Sequence, residues 1–135
     1  MREILFKAKR IDNGEWVVGK YVNTCYPGKD KETWHFIVTY PNEYHEIYTS
    51  TVCQFTGLCD KNGKRIWEND ILMAHLDESY PEDATYEAVE WGIAGWVGHE
   101  ANSIDRQYLD EFDTKYYEVV GNTFDNPELL QEEHK

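Results

Sequence analysis

Residues 54–72 read QFTGLCDKNGKRIWENDIL. A Thr56-Gly57 step closes one apolar run. Asp60-Lys61-Asn62-Gly63-Lys64 has the composition of a tight turn, since Asn and Gly tolerate positive φ and Asp bonds its own backbone. Ile66 and Trp67 follow, then an Asn69-Asp70 step, then Ile71-Leu72 opening a new strand. The stretch predicts strand, turn, strand, with Phe55, Leu58, Ile66, Ile71 and Leu72 in the core and Gly57, Asn62-Gly63 and Asn69-Asp70 as turn chemistry.

The flanks carry the same grammar. Ile4, Phe6 and Ala8 alternate with Leu5, Lys7 and Lys9, which is the period of a strand. Asp12-Asn13-Gly14 is a hairpin signal, and Trp16 to Val22 returns, with Gly19 marking a bulge. Asn23 to Lys31 reads as a loop. Trp34 to Tyr40 is a third strand, Pro41-Asn42-Glu43 a turn, and Tyr44 to Phe55 strand-like with a break at Thr49-Ser50-Thr51. Asp77 to Thr85 reads as an exposed loop. Tyr86 to Trp91 is a strand with Tyr86, Ala88 and Glu90 on one face and Glu87, Val89 and Trp91 on the other. Gly92 to Gly95 bends the chain into a partner strand from Trp96.

Late in the chain the period changes. Ser103 is placed to cap a helix, with Ile104, Tyr108, Leu109 and Phe112 on one helical face. Tyr116 to Val120 is a last strand, closed by Gly121-Asn122. Asn126-Pro127-Glu128 has N-cap chemistry for a final short helix docked by Leu129 and Leu130. The expected fold is mainly β, with short antiparallel strands in small barrel-like sheets and one or two short helices near the C-terminus. A single domain over 1–135 is expected, with two small β subdomains, 1–55 and 56–135, as the alternative. A chain of 135 residues can build such a core without staples.

Composition narrows the function classes. The formal net charge is −13, which repels phosphate backbones, so direct nucleic-acid binding is not expected. Three cysteines, Cys25, Cys53 and Cys59, form no C-x-x-C pair and support neither a disulfide framework nor a zinc site. No apolar signal segment or membrane-length run is present, so a location in the cytoplasm is expected. Aromatics are 15% of residues, with Trp16, Trp34, Trp67, Trp91 and Trp96 all at strands or their ends and most assigned to the core.

The opening Arg2 to Ala8, the block Thr51 to Leu72 and the close Glu118 to Leu130 stand in the order of three motifs of the YopX family, which this chain resembles. The resemblance implies a mainly β protein from a phage or prophage, expressed in a bacterial host, with no established activity and no catalytic residues to carry over. Asn69 stands where that family has Gly, Cys53 also where Gly is usual, and Cys59 where a polar residue is common. A position of positive φ at Asn69 costs about 1 kcal/mol relative to Gly.

Candidate chemistry is thin. Asp60-Lys61-Asn62-Gly63 resembles the start of a calcium loop, but Ile71 stands where the bidentate Glu belongs. Glu68 and Asp70 suit an acid/base pair, or Asp70 accepts backbone N–H groups and pins the turn. His35, His45, His75, His99 and His134 have no metal-ligand spacing, although His75 lies near Asp77 and Glu78. No catalytic, cofactor-binding or metal residue is assigned, and no cofactor is expected. The expected role is a non-enzymatic accessory protein acting by protein contact or self-assembly, as a homo-oligomer or with a protein partner and without a membrane. One alternative is an acidic regulator or charge mimic of a nucleic-acid-processing protein. Another is a small enzyme using a carboxylate pair. The working surface is placed on the loops Asn23–Lys31 and Asp77–Thr85 or on a sheet edge.

Overall fold

The Asp12-Asn13-Gly14 signal produces the first hairpin. Strand β1, Phe6–Lys9, pairs antiparallel with β2, Trp16–Cys25. Only Gly14 takes positive φ, at 71°. Asn13 instead accepts from the Glu15 amide through its carboxamide oxygen, at 2.9 Å, so the Asn works as an acceptor and the Gly as the hinge. The computed structural model describes residues 4–25, 33–75, 84–101, 103 and 106–131.

The chain divides into two units, Met1–Phe55 and Thr56–Lys135. In the first, β2 pairs with β3, Thr33–Thr39, and β3 with β4, Glu43–Glu46. A 3-10 turn over Thr49–Thr51 breaks the strand as Thr-Ser-Thr suggests. β5, Cys53–Cys59, then begins beside β1. One face buries Ala8, Ile37 and Ile47, with Phe6, Val17, Tyr21 and Val52 packed against them. Gly19 is not a bulge: it sits in unbroken register opposite Phe6. A Cβ there would collide with the Val38 carbonyl oxygen, so glycine is required by the close approach of β3.

In the second unit β6, Arg65–Trp67, precedes a five-stranded sheet. Its strands are β7 (Asp70–His75), β8 (Ala84–Trp91), β9 (Trp96–Glu100), β10 (Arg106–Tyr108) and β11 (Glu118–Asn122), in the order β10-β9-β8-β7-β11. Its core is Ile66, Leu72, Val89, Trp96, Leu109, Tyr117 and Val119, with Leu58 and Ala74 against it.

The fold is mainly β, as the alternation requires, and among the described residues helical structure is limited to 3-10 turns. The amphipathic helix from Ser103 to Phe112 is not formed there. Arg106–Tyr108 pairs with β9 instead, Tyr108 opposite Val97. Tyr108 and Phe112 are exposed and only Leu109 is buried, so the residues spaced for one helical face share no burial, and ladder hydrogen bonds override a short period. Ile104 lies outside the described residues. Asp113–Tyr116 and Pro127–Leu130 are 3-10 turns. The Asn126 side chain does not cap the latter; its oxygen accepts from the Asn122 amide at 3.2 Å. Gly121-Asn122 forms the last two residues of β11, past a register shift between Val119 and Gly121, and the turn begins after it.

The stretch 54–72 folds as strand, turn, strand, with two changes. Gly57, at φ 87°, lies inside β5 rather than in a turn. Beside it Thr56 donates to the Ile66 carbonyl at 2.7 Å and accepts from Leu58 at 3.1 Å, which ties the kinked strand to β6. Asn69 takes φ 70°, the left-handed conformation that Asn tolerates next after Gly. Leu58 is half-buried, while Phe55, Ile66, Ile71 and Leu72 are buried as expected. Of the tryptophans only Trp67 and Trp96 are buried; Trp16 and Trp34 are half-buried and Trp91 is exposed. Asn23 to Cys25 belong to β2 and Ala84-Thr85 to β8; the rest of the two expected working loops lies outside the described residues.

Candidate functional site

Asp60, Asp70 and Cys53, among the residues singled out for chemistry, bond to the backbone. Asp60 is 7% exposed. Its Oδ1 accepts from the amides of Asn62 and Lys64, both at 2.9 Å, and its Oδ2 from the amide of Val119, also 2.9 Å. One carboxylate thus closes the Asp60–Lys64 turn and clamps it to β11. Asp70 is buried and accepts from the Trp67 amide at 2.8 Å, which pins the turn into β7, while Glu68 is half-buried. Cys53 is buried and its thiol donates to the Thr51 carbonyl; Cys59 is exposed. His35, His45, His75 and His99 are distributed over β3, β4, β7 and β9. Among the described residues no three His, Cys, Asp or Glu side chains converge on a metal position. His134, Asp77 and Glu78 lie outside the described residues.

Two other places have the geometry of a site. The first is a cleft in the second unit. Glu87 in β8 faces Leu72 on one side and Glu100 on the other, in register. It is 7% exposed. Burial pushes its carboxyl above the ordinary carboxylate range, and the charges of Glu100 and Asp113 push the same way, against a hydrogen bond from Tyr117. Burial and the same carboxylates push the Tyr117 phenol up as well, so it stays a neutral donor. The Glu87 carboxyl lies against Gly98 in β9: a Cβ on Gly98 would meet Glu87 Oε2 at 2.8 Å. The sequence does carry a signal for this group, because Glu87 shares its face with Val89 and Trp91, and a carboxyl on an apolar stripe is the exception to explain.

The second is the face of the first unit's sheet opposite its core. Cross-strand register places Val18, Lys20, Val22, Phe36, Val38 and Tyr44 on it. Phe36 meets Tyr44 edge-on at 5.6 Å and stacks against Trp34 at 6.2 Å. Lys7 and Lys9 reach over the Trp16 ring. A groove of about 470 Å³ runs along this face between Val18, Val22, Val38, Tyr40, Pro41 and Tyr44. Val18 is 42% exposed, Tyr44 59% and Tyr40 95%. An apolar sheet face left this open is a feature of interaction surfaces.

Charge is divided between the units. Residues 1–55 carry seven Lys or Arg and seven Asp or Glu, a net of zero. Residues 56–135 carry six against nineteen, a net of −13. The whole formal charge therefore belongs to the second unit.

These features define a mainly β protein of two antiparallel units, one neutral with an open aromatic face and one acidic with a carboxyl-lined cleft. The chain belongs to the YopX family, whose description is "YopX protein" and whose profile matches residues 5–131. It is similar in fold to the solved structure "Crystal structure of protein EF1440 from Enterococcus faecalis", with 20% sequence identity and a TM-score of 0.58 over 97% of this chain and 100% of that one. No curated protein matches it. Among the described residues no helix is long and apolar enough to cross a membrane.

Proposed function

We propose that this chain is a non-enzymatic accessory protein of a phage or prophage, working in the cytoplasm of its bacterial host through protein contact, and that it self-assembles. The observation that carries the reading is the open aromatic groove on a neutral unit, in a chain whose other unit holds a net charge of −13. Lys20 stands at the wall of that groove. A second copy that covers the groove removes its apolar area from water, which is the driving force for the assembly. Light scattering on a concentration series tests it. The wild-type chain is expected to be oligomeric, and Val18→Asp with Tyr44→Ala to be monomeric with an unchanged unfolding midpoint. A wild-type chain that stays monomeric throughout overturns self-assembly.

The confinement of charge also favours a second reading, in which the acidic unit binds a basic, nucleic-acid-processing partner. That reading expects binding that weakens steeply with salt, because exposed pairs are screened within a Debye length. Salt-insensitive binding removes it.

A further inference from the structure

His99 lies between two groups that accept hydrogen bonds. Its ring reaches from β9 to Glu90 of β8, with Nδ1 3.0 Å from Glu90 Oε1. On the other side Nε2 stands 2.5 Å from the backbone oxygen of Ser103. A carbonyl oxygen has no proton to give, and neither has an ionised carboxylate. A neutral imidazole carries one donor and one acceptor nitrogen, whereas the imidazolium donates from both. Only the charged ring satisfies both contacts. Arg106 of β10, directly across the ladder from His99, lies 3.5 Å from the other oxygen of Glu90.

These contacts join the outer strands of the five-stranded sheet. β10 is three exposed residues long and pairs with β9 alone. Ser103 lies between those strands in sequence, and its amide donates to the Glu100 carbonyl at 3.2 Å. A segment with little buried contact belongs to the low-stability end of a structure, where single bonds weigh heavily. We propose that His99 is a proton-operated latch for this edge: as imidazolium it ties Ser103 to Glu90, and as neutral imidazole it must let one of them go. The latch is closed in acid and opens as pH rises, histidine being the side chain whose charge ordinarily changes between about pH 5 and 8. On the neighbouring strands the ionisable groups that share its face are Glu90 and Tyr86 in β8 and Arg106 and Tyr108 in β10, while Glu87 and Glu100 stand on the opposite face. An open latch leaves β10 held by its ladder, and β10 is what covers the β9 edge from Val97 to His99, backbone that is otherwise ready to pair with another strand.

The test follows the full-length chain by NMR from about pH 5 to 8. The ring nitrogens of His99 report its charge. Hydrogen exchange, corrected for the base-catalysed rate of an open amide, reports the edge at Ser103 and at Leu109, whose amide donates to the Trp96 carbonyl at 3.0 Å. Protection at both is expected to fall about tenfold or more as the ring loses its proton, and to fall less at Ile71 and Leu72 in β7. His99→Gln should give low protection at every pH, because a carboxamide donates from one nitrogen. His99→Lys should keep protection high throughout, since an ammonium has three donors over this whole range. Glu87 is present in all of these proteins, so the difference between them isolates His99. Wild-type protection that stays flat while the ring titrates overturns the proposal, and so does the same fall in His99→Gln.

Discussion

Three side chains account for much of the local geometry. Asp60 serves three amides, of which only that of Val119 is buried away from water. Asp60→Ala should therefore cost about 2–3 kcal/mol in urea unfolding, mostly from Val119, and Asp60→Asn less, since its one oxygen can still accept. Asp70→Ala should cost about 1–3 kcal/mol through the Trp67 amide; an unchanged melting temperature would refute the pinning role. At Asn69, φ 70° is a left-handed conformation. Asn69→Ala should lose about 1 kcal/mol, and Asn69→Gly should be more stable than Asn69→Ala. Equal stability of the two would mean that strain is not what Asn69 answers. Glu87 gives a pH signature. Its folded pKa is raised above the ordinary 4.5, so its favourable share is complete below that pH and is lost as pH rises through the folded value. Glu87→Gln should gain stability over the wild type at neutral pH, and the gap should close in acid. Parallel pH curves for the two proteins would refute it.

At the scale of elements, close approach and ladder pairing decide what short periods leave open. β2 and β3 lie so near that Gly19 has no room for a Cβ. Gly19→Ala should cost about 1–3 kcal/mol as the strands separate, and a neutral result by thermal unfolding would mean that β3 yields. Residues 106–108 show the complementary lesson. Their spacing fits a helix, yet β9 offers an unpaired edge, and pairing with it satisfies backbone groups that one helical turn would leave open. The Gly92–Gly95 bend, by contrast, was readable in full: the Gly92 amide donates to the Gly95 carbonyl at 2.7 Å and Trp91 faces Trp96.

For the whole molecule the governing quantity is a charge of −13 held by one unit of two. Self-repulsion within that unit opposes its folding. Raising ionic strength from about 0.01 to 0.15 M shortens the screening length from about 30 to 8 Å, and the unfolding midpoint should rise with it. A falling midpoint would mean that attractive pairs such as Arg10–Asp12 and Arg106–Glu90 outweigh the repulsion. The same salt series, read by light scattering, tests the assembly reading, because apolar contact along the Val18–Tyr44 groove survives screening and charge pairing does not.

Much of this was legible in residues 54–72 and their flanks. Period-2 alternation places Phe6 and Ala8 on one face, an unbroken apolar pair marks Ile71 and Leu72 as core, and Gly14, Gly63 and Asn69 mark positive φ, because all of these are properties of a residue and its near neighbours. The family motifs are legible for the same reason. The roles of Asp60, Gly19 and Glu87 are not, since each depends on an atom far along the chain: the Val119 amide, the Val38 carbonyl and the side chains that bury a carboxyl. Nor does strand alternation say which tryptophans are covered, and Trp91 is not. Local sequence specifies which way each side chain points along a strand. Only the pairing of strands decides what it meets there, and the cleft and the groove are both made of such meetings.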